Sequence, residues 1–251
     1  MNKVKAATLA TARLTLGPIT AAEEARLLRI LTNEEIAETY MLPEFGSEAE
    51  ALPLARRLQA LSVSPEHVLY GIFLDGTLIG FINDVECHGD TIEMGYVIHP
   101  DYRGNGYATE AFAAVIRQLL SMGFREIRAG AFAGNLASIR VMEKCAMTPT
   151  GREETIPYRG HPRRCIGYHL TPDTVADEIR RMEALFDDLL QCTDQTPAFR
   201  EKLAQLTDYY EGGRWLRHYE MDEAGLLPQN LKRGVLSQDG VFDLLASLAT
   251  E

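Results

Sequence analysis

The pattern of apolar and polar positions predicts strands and helices in turn up to about residue 170. Runs rich in β-branched and aromatic residues predict strands at 13–20, on both sides of Asp75-Gly76 within 68–86, at 91–99, at 126–132, and in a final pair around 148–156 and 164–170. Apolar residues spaced three and four apart predict helices at 21–32, 48–62, 109–123 and 136–145.

Several of these boundaries carry a local signal. Thr20 can cap the first helix, and Asp75-Gly76 between two β-rich runs is a strong hairpin signal. Pro18 cannot donate to a sheet ladder, so the strand that it ends belongs at an edge. The helix that starts at Thr109 has the clearest amphipathic spacing, and Gly123 stands where such a helix commonly ends.

The pattern becomes helical only near Thr171-Pro172. Thr171 as a cap with a proline at the first helical position opens one helix, a second covers about 197–211, and a third starts at Ser237. We therefore predict two domains, residues 1–170 and an all-helical module of residues 171–251.

Composition narrows the classes of partner. The net charge is −11, and residues 171–251 carry 16 acidic against 8 basic side chains, whereas a generic nucleic-acid binder shows a basic face. No apolar run is long enough to span a bilayer and the start builds no signal region, so we expect a cytoplasmic protein without nucleic-acid or membrane partners. The four cysteines and six histidines show no metal-ligand spacing, so no metal site is expected.

The stretch HPDYRGNGYATEAF, residues 99–112, places two glycines between a predicted strand and a predicted helix. A Walker loop would need Gly-Lys-Ser/Thr, and a dinucleotide fingerprint would need a third glycine where Thr109 stands. The stretch is therefore a plain loop or a cradle for a pyrophosphate. A cradle needs small residues, so that successive N–H groups can reach one anion, and a helix that begins there; Gly104, Gly106 and Ala108 meet the first demand.

The ordered motifs ARLTLGPIT, TIEMGYVIHPDYRGNGYATEAF and AGNLASIRVMEKCAM resemble the GNAT superfamily of acetyl-CoA-dependent N-acyltransferases. They are most similar to the branch that acetylates the N-termini of ribosomal proteins. The resemblance covers about residues 11–170 and implies an α/β (α+β) fold with a mixed, mostly antiparallel sheet flanked by helices. Residues 171–251 resemble a small uncharacterised bacterial helical domain. This resemblance implies no function.

The resemblance also implies where acetyl-CoA binds. The strand at 92–98 would part from the strand at 126–132, and the backbone of Val97 and Ile98 would hold the pantetheine arm in the opening. Asn135 would contact the pantetheine, and Ser138 would hydrogen-bond the departing sulfur. The pyrophosphate would be gripped by Arg103, Gly104, Asn105, Gly106, Tyr107, Ala108 and Thr109.

In this family the amine attacks the thioester directly, which requires a base for the amine and an acid for the thiol. Glu93 is the first candidate base and Glu154 the second; alternatively, each carboxylate faces solvent or forms a structural ion pair. Many members carry an acidic tyrosine seven residues after the asparagine, but Met142 occupies that position here. Ser138 or an ordered water must take over, or the activity is weak.

Two functions are therefore expected as alternatives. The first is transfer of an acetyl group from acetyl-CoA to a primary amine, either a protein N-terminus or a small molecule. The second is an acyl-CoA-binding regulator or adaptor that has lost catalysis, which Met142 favours and the retained Asn135 and Ser138 oppose. The C-terminal helices are candidates for a homodimer contact.

Overall fold

A computed structural model describes residues 5–192 and 196–248 of the protein. Contacts divide the chain into two compact units. One runs up to Met142 and includes Pro149–His169, and the other combines Glu143–Thr148 with the chain from Leu170 onward.

Eight strands form one sheet in the order β1-β2-β3-β4-β5-β6-β8-β7. Neighbours from β1 to β5 pair antiparallel, whereas β5 and β6 pair parallel. This confirms the expected mixed, mostly antiparallel sheet. The strands are β1 (Leu9–Ala10), β2 (Leu14–Gly17), β3 (Leu69–Leu74), β4 (Thr77–His88), β5 (Thr91–Ile98), β6 (Glu126–Phe132), β7 (Thr148–Tyr158) and β8 (His161–Leu170).

The helices of the described residues largely follow the predicted pattern. They are α1 (Glu24–Leu31), α2 (Glu34–Ala37), α3 (Glu48–Val63), α4 (Tyr107–Ser121), α5 (Leu136–Lys144), α6 (Pro172–Gln191), α7 (Pro197–Glu211), α8 (Arg214–Glu223) and α9 (Gln238–Leu248).

The sequence pattern missed two helices, misplaced the start of a third, and wrongly put the strand before Pro18 at an edge, since β2 pairs with both β1 and β3. Helix α2 is a single turn, too short to show a period. Gly212-Gly213 ends α7 but also starts α8, because Gly213 takes the left-handed conformation (φ 91°) at its N-cap. Helix α4 starts at Tyr107 rather than Thr109, directly after Gly106 with φ 79°.

The predicted turn and cap signals are confirmed. The Thr20 side chain accepts the N–H of Ala22, and Glu23 reaches back to the Thr20 N–H. Asp75 and Gly76, with φ of 49° and 75°, make the tight turn between β3 and β4.

Strand β5 lies in the middle of the sheet and is covered on both faces. On one face Val97 joins a buried cluster with Leu27 of α1 and Leu58 of α3. On the other face the ring of Tyr96 lies 5.0 Å from the ring of Phe112 in α4. This burial fixes the position of the strand that carries the candidate base.

The C-terminal unit has its own core. Tyr209 and Trp215 are buried, and the Trp215 indole N–H donates to the Val235 carbonyl at 2.8 Å. Tyr219 stacks on Trp215 at 5.3 Å between ring centroids but stays 38% exposed. No helix of the described residues has both the length and the apolarity to cross a membrane.

Candidate active site

Strands β5 and β6 separate halfway along their length. They pair in register from Thr91↔Glu126 to Met94↔Ala129, and then the pairing stops although β5 continues to Ile98 and β6 to Phe132. The expected opening between the two strands is therefore present. Backbone groups at this edge need another partner, since buried N–H and C=O groups are rarely left unpaired.

The direction of the β5 backbone distinguishes the two residues expected to hold the pantetheine arm. The His99 N–H donates to Ile79 of β4, and the Val97 carbonyl also points towards β4, where a Cβ on Gly80 would lie 2.0 Å from its oxygen. Backbone groups alternate in direction along a strand, so those of Tyr96 and Ile98 point towards β6. The Ile98 carbonyl accepts a hydrogen bond from Arg103 Nε at 3.2 Å.

The glycine loop follows at the end of β5. Gly104 and Gly106 both have φ of 79°, a left-handed conformation that suits glycine. Around Gly104 a Cβ would meet no described atom within 4 Å, and no side chain among the described residues caps α4 through its Gly106 N-cap. The backbone of Gly104 thus borders open space, shortly before the positive end of α4.

Arg13 braces this loop, which the sequence pattern did not reveal. Its guanidinium donates to the Asn105 carbonyl at 2.9 Å, pairs with Glu110 at 2.6 Å and lies 4.7 Å from the ring centroid of Tyr107. Burial raises the pKa of Glu110, but hydrogen bonds from Thr11 and Arg13 outweigh that effect and leave this pKa below its ordinary value. The ionised Glu110 therefore holds Arg13 against the loop.

Glu93 lies where the opening begins. It is half-buried on β5, opposite Glu86 of β4 and Arg128 of β6. Burial raises the pKa of Glu93, and the charges of Glu86 and Glu154 raise it further, while Arg128 opposes them. The charge of Glu154, the second candidate base, thus acts on Glu93, and we call Glu86, Glu93 and Glu154 together the acidic cluster.

Asn135 and Ser138 start α5, beyond the end of β6. The Asn135 side-chain oxygen accepts the Ser138 N–H at 3.1 Å, so this residue caps the helix, and its amide nitrogen donates to the Thr39 carbonyl at 3.3 Å. Ser138 is half-buried, and its Oγ lies 2.8 Å from the hydroxyl of Tyr96. Met142 is fully buried, and its thioether side chain carries no hydroxyl at that position of α5.

The segment after α2 lies against the face of β5 that carries Gly95. The Tyr40 hydroxyl donates to Asn83 at 2.7 Å, and it fits because Gly95 lacks a Cβ, which would lie 2.8 Å from that hydroxyl. Burial raises the pKa of Tyr40 to about 12. Tyr158 of β7 fixes the same segment, since its hydroxyl donates to the Ala37 carbonyl at 2.7 Å. None of these tyrosines was singled out from the sequence.

Comparison with family models decides the class of protein. A model described as an acetyltransferase (GNAT) domain matches residues 13–148, which is more than half of the chain. The chain belongs to the GNAT acetyltransferase family. A second model, a domain of unknown function (DUF4298), matches residues 174–250, so this acetyltransferase carries a separate C-terminal domain.

Relatives and solved structures agree with this family. An uncharacterised N-acetyltransferase of Bacillus subtilis, YoaA, is 30% identical over 150 residues, which is 57% of this chain and 84% of YoaA. A GNAT-family acetyltransferase of Bacillus anthracis is 21% identical with a TM-score of 0.57, over 65% of this chain and 98% of that one. RimL, a ribosomal L7/L12 α-N-protein acetyltransferase solved with coenzyme A, is 17% identical with a TM-score of 0.59. The match covers 65% of this chain and 97% of RimL. At these identities the two solved structures show the fold alone.

Among residues 5–192 and 196–248, no group of three or more histidine, cysteine, aspartate or glutamate side chains is arranged to hold a metal ion. The four cysteines are free thiols. Cys145 is buried, and burial raises the pKa of its thiol to about 12, so it is no ready nucleophile.

Proposed function

We propose that the protein transfers an acetyl group from acetyl-CoA to a primary amine, which attacks the thioester directly. The observation that carries this proposal is the parting of β5 and β6 after Met94 and Ala129, directly before a glycine loop that leads into α4. An opening lined by strand backbone and followed by the positive end of a helix suits a long ligand with a pyrophosphate.

The residues present fit such a ligand, which supplies an activated acetyl thioester when bound. The backbone groups of Tyr96 and Ile98 would hold the extended arm, with Ile98 in the role expected from the sequence and Tyr96 in place of Val97. The N–H groups of residues 104–109 would bind the pyrophosphate, and hydrogen bonds to charged groups contribute about 1.5–3 kcal/mol each. Arg103 adds positive charge beside the loop, and Arg13, whose charge is paired with Glu110, braces the loop at the Asn105 carbonyl.

We assign Glu93 as the general base. Its raised pKa makes it a stronger base than an ordinary glutamate. Deprotonating an α-amine at pH 7 costs about 1 kcal/mol, against about 4.6 kcal/mol for a lysine side chain. The modest base favours an N-terminal or other low-pKa amine, and the negative charges of the acidic cluster favour a cationic acceptor.

Ser138 is assigned as the group that meets the departing sulfur, because Met142 supplies no hydroxyl. Asn135 acts chiefly by capping α5 and thereby holding Ser138 in place. The buried Met142 also favours a second candidate function, an acyl-CoA-binding protein without catalysis.

Release of free thiol from acetyl-CoA, measured with peptides bearing free α-amines, polyamines, aminoglycosides and amino acids, separates the two functions. The acetyltransferase proposal expects turnover with at least one class, and loss of at least about 100-fold in kcat/KM on Glu93→Gln. Acetyl-CoA binding without turnover on any class would support the non-catalytic alternative. No binding at millimolar acetyl-CoA would overturn both.

A further inference from the structure

We infer that Tyr96 and Ser138 act as a hydroxyl pair, in which Tyr96 positions Ser138 and supplies it with the proton that Ser138 gives to the departing sulfur. This rests on the proposed acetyl transfer and deepens it. In this assignment Tyr96 on β5 supplies the phenol that position 142 lacks in this chain.

The pair bridges the opening. Tyr96 belongs to the part of β5 that has separated from β6, and Ser138 belongs to the first turn of α5, the helix that follows β6. The two hydroxyl oxygens are 2.8 Å apart, and the Tyr96 hydroxyl also lies 3.0 Å from the Ser138 carbonyl. Both side chains are half-buried, so a ligand in the opening can reach them.

One packing contact and one hydrogen bond fix this geometry. The ring of Tyr96 lies against Phe112 of α4, which is fully buried. The Ser138 N–H is held by the cap from Asn135. When the phenol donates to Ser138 Oγ rather than to the Ser138 carbonyl, the serine proton is free to point into the opening.

The proposed proton transfers balance. As the carbon–sulfur bond breaks, Ser138 gives its hydroxyl proton to sulfur, and Tyr96 gives its own proton to Ser138 Oγ. The phenolate left on Tyr96 takes a proton from solvent, and Glu93 returns to solvent the proton it took from the amine. A phenol, with an ordinary pKa of about 10, is better matched to a thiol of about 8.5 than an aliphatic hydroxyl is, so Tyr96 spares Ser138 from becoming an alkoxide.

The first test measures binding rather than turnover. Calorimetry at about pH 8.5, close to the ordinary thiol pKa, compares coenzyme A with an analogue that lacks the sulfur. We expect Tyr96→Phe and Ser138→Ala each to weaken coenzyme A binding by roughly 3- to 10-fold and to leave the analogue unchanged. Equal weakening of both ligands, or of neither, would overturn the assignment of the pair to the thiol.

The second test is a double-mutant cycle on kcat, with the amine that the wild-type protein acetylates. Tyr96→Phe should lower kcat by about 10-fold and Ser138→Ala by about 100-fold, with the KM for acetyl-CoA nearly constant. The double variant should match Ser138→Ala, because Tyr96 acts only through Ser138. If Tyr96 has only a structural role, Tyr96→Phe should lower kcat by the same factor in the wild-type protein and in Ser138→Ala. That result would overturn the relay.

Tyr70→Phe is the matched control. Tyr70 lies on β3, and its hydroxyl donates to the Ala6 carbonyl at 2.7 Å. This variant therefore removes one hydrogen-bonded phenol hydroxyl that lies away from the opening. It should leave kcat and both affinities unchanged. Wild-type turnover with an unaffected Tyr96→Phe variant rejects the relay alone, whereas coenzyme A binding without any wild-type turnover rejects the proposed transfer and the relay with it.

Discussion

At the scale of single residues, Glu93 is poised by its neighbours as well as by burial. Glu86 and Glu154 raise its pKa, and Arg128 lowers it. A general base acts in its deprotonated form, so the rate rises as the pH passes upward through this pKa. Changing a neighbour should therefore move the pH profile without removing the base.

Glu154→Gln should shift the acid limb of the kcat/KM profile to lower pH, because it removes a negative charge that raises the pKa of Glu93. Arg128→Met should shift the limb to higher pH for the opposite reason. Glu153→Gln is the control, since adjacent residues of a strand face opposite sides of the sheet. If Glu154→Gln abolishes turnover and Glu93→Gln only shifts the limb, Glu154 is the base.

The sequence pointed to Glu93, Ser138 and the loop glycines because each belongs to a short motif. It did not point to Tyr96, which reads as one more aromatic residue of a buried strand and whose partner is 42 positions away. The pairing of Arg13 with Glu110, 97 positions away, has no sequence signal for the same reason. Side-chain partnerships over such separations depend on the assembled sheet.

At the scale of elements, the opening depends on where β5 is held on its other side. Gly80 of β4 lies so close to β5 that a Cβ would be 2.0 Å from the Val97 carbonyl oxygen. Gly130 of β6 has room, with the nearest atom 3.6 Å away. The positions of strands and helices along the chain were predictable from hydrophobic periodicity, but the parting of β5 from β6 leaves no periodic signal and followed only from the family resemblance.

Gly80→Ala should therefore lower the free energy of unfolding by about 2 kcal/mol or more, because either β4 or β5 must shift. Gly130→Ala should change it by less than about 1 kcal/mol. Urea unfolding of the two variants measures the difference. Equal stability would show that β4 and β5 can relax around the added methyl group.

The glycine loop supports a second comparison of matched positions. Gly104 and Gly76 both have positive φ, 79° and 75°, and open space around them. Any side chain costs about 1–2 kcal/mol of strain at either position, but only Gly104 lies in the loop before α4. Gly104→Glu should weaken acetyl-CoA binding at least 10-fold by placing a carboxylate at the anion site, and Gly76→Glu should not. Equal affinities would place the pyrophosphate elsewhere.

At the scale of the whole molecule, the change from mixed to purely helical patterning near Thr171 was evident in the sequence, and the contact division likewise assigns the chain from Leu170 onward to the second unit. The same division adds Glu143–Thr148 to that unit, which no sequence boundary indicated. The C-terminal unit also buries charge that periodicity does not reveal. Glu178 is held there by Arg214 at 2.6 Å, and the fully buried His218 contacts the Tyr209 hydroxyl at 2.9 Å.

The buried histidine predicts acid sensitivity. Burial, together with the charge of Arg214, lowers the pKa of His218 from 6.5 to about 3 despite the nearby Glu178. Between those values the unfolded chain binds a proton that the folded protein does not, so stability falls with falling pH by up to about 1.4 kcal/mol per unit. Denaturant unfolding at pH 7 and pH 5 should show a smaller drop for His218→Gln than for wild type or for the exposed control His161→Gln. An equal drop in all three would mean that His218 does not set the dependence.

The most direct test of the proposed function is mass spectrometry of amine acceptors incubated with acetyl-CoA and either the wild-type protein or Glu93→Gln. We expect the wild-type protein to add one acetyl group to an acceptor with a free low-pKa amine, and the variant to bind acetyl-CoA equally well but transfer at least about 100-fold more slowly. Equal transfer by both proteins would contradict Glu93 as the base. No transfer to any amine by the wild-type protein would contradict the proposed function itself.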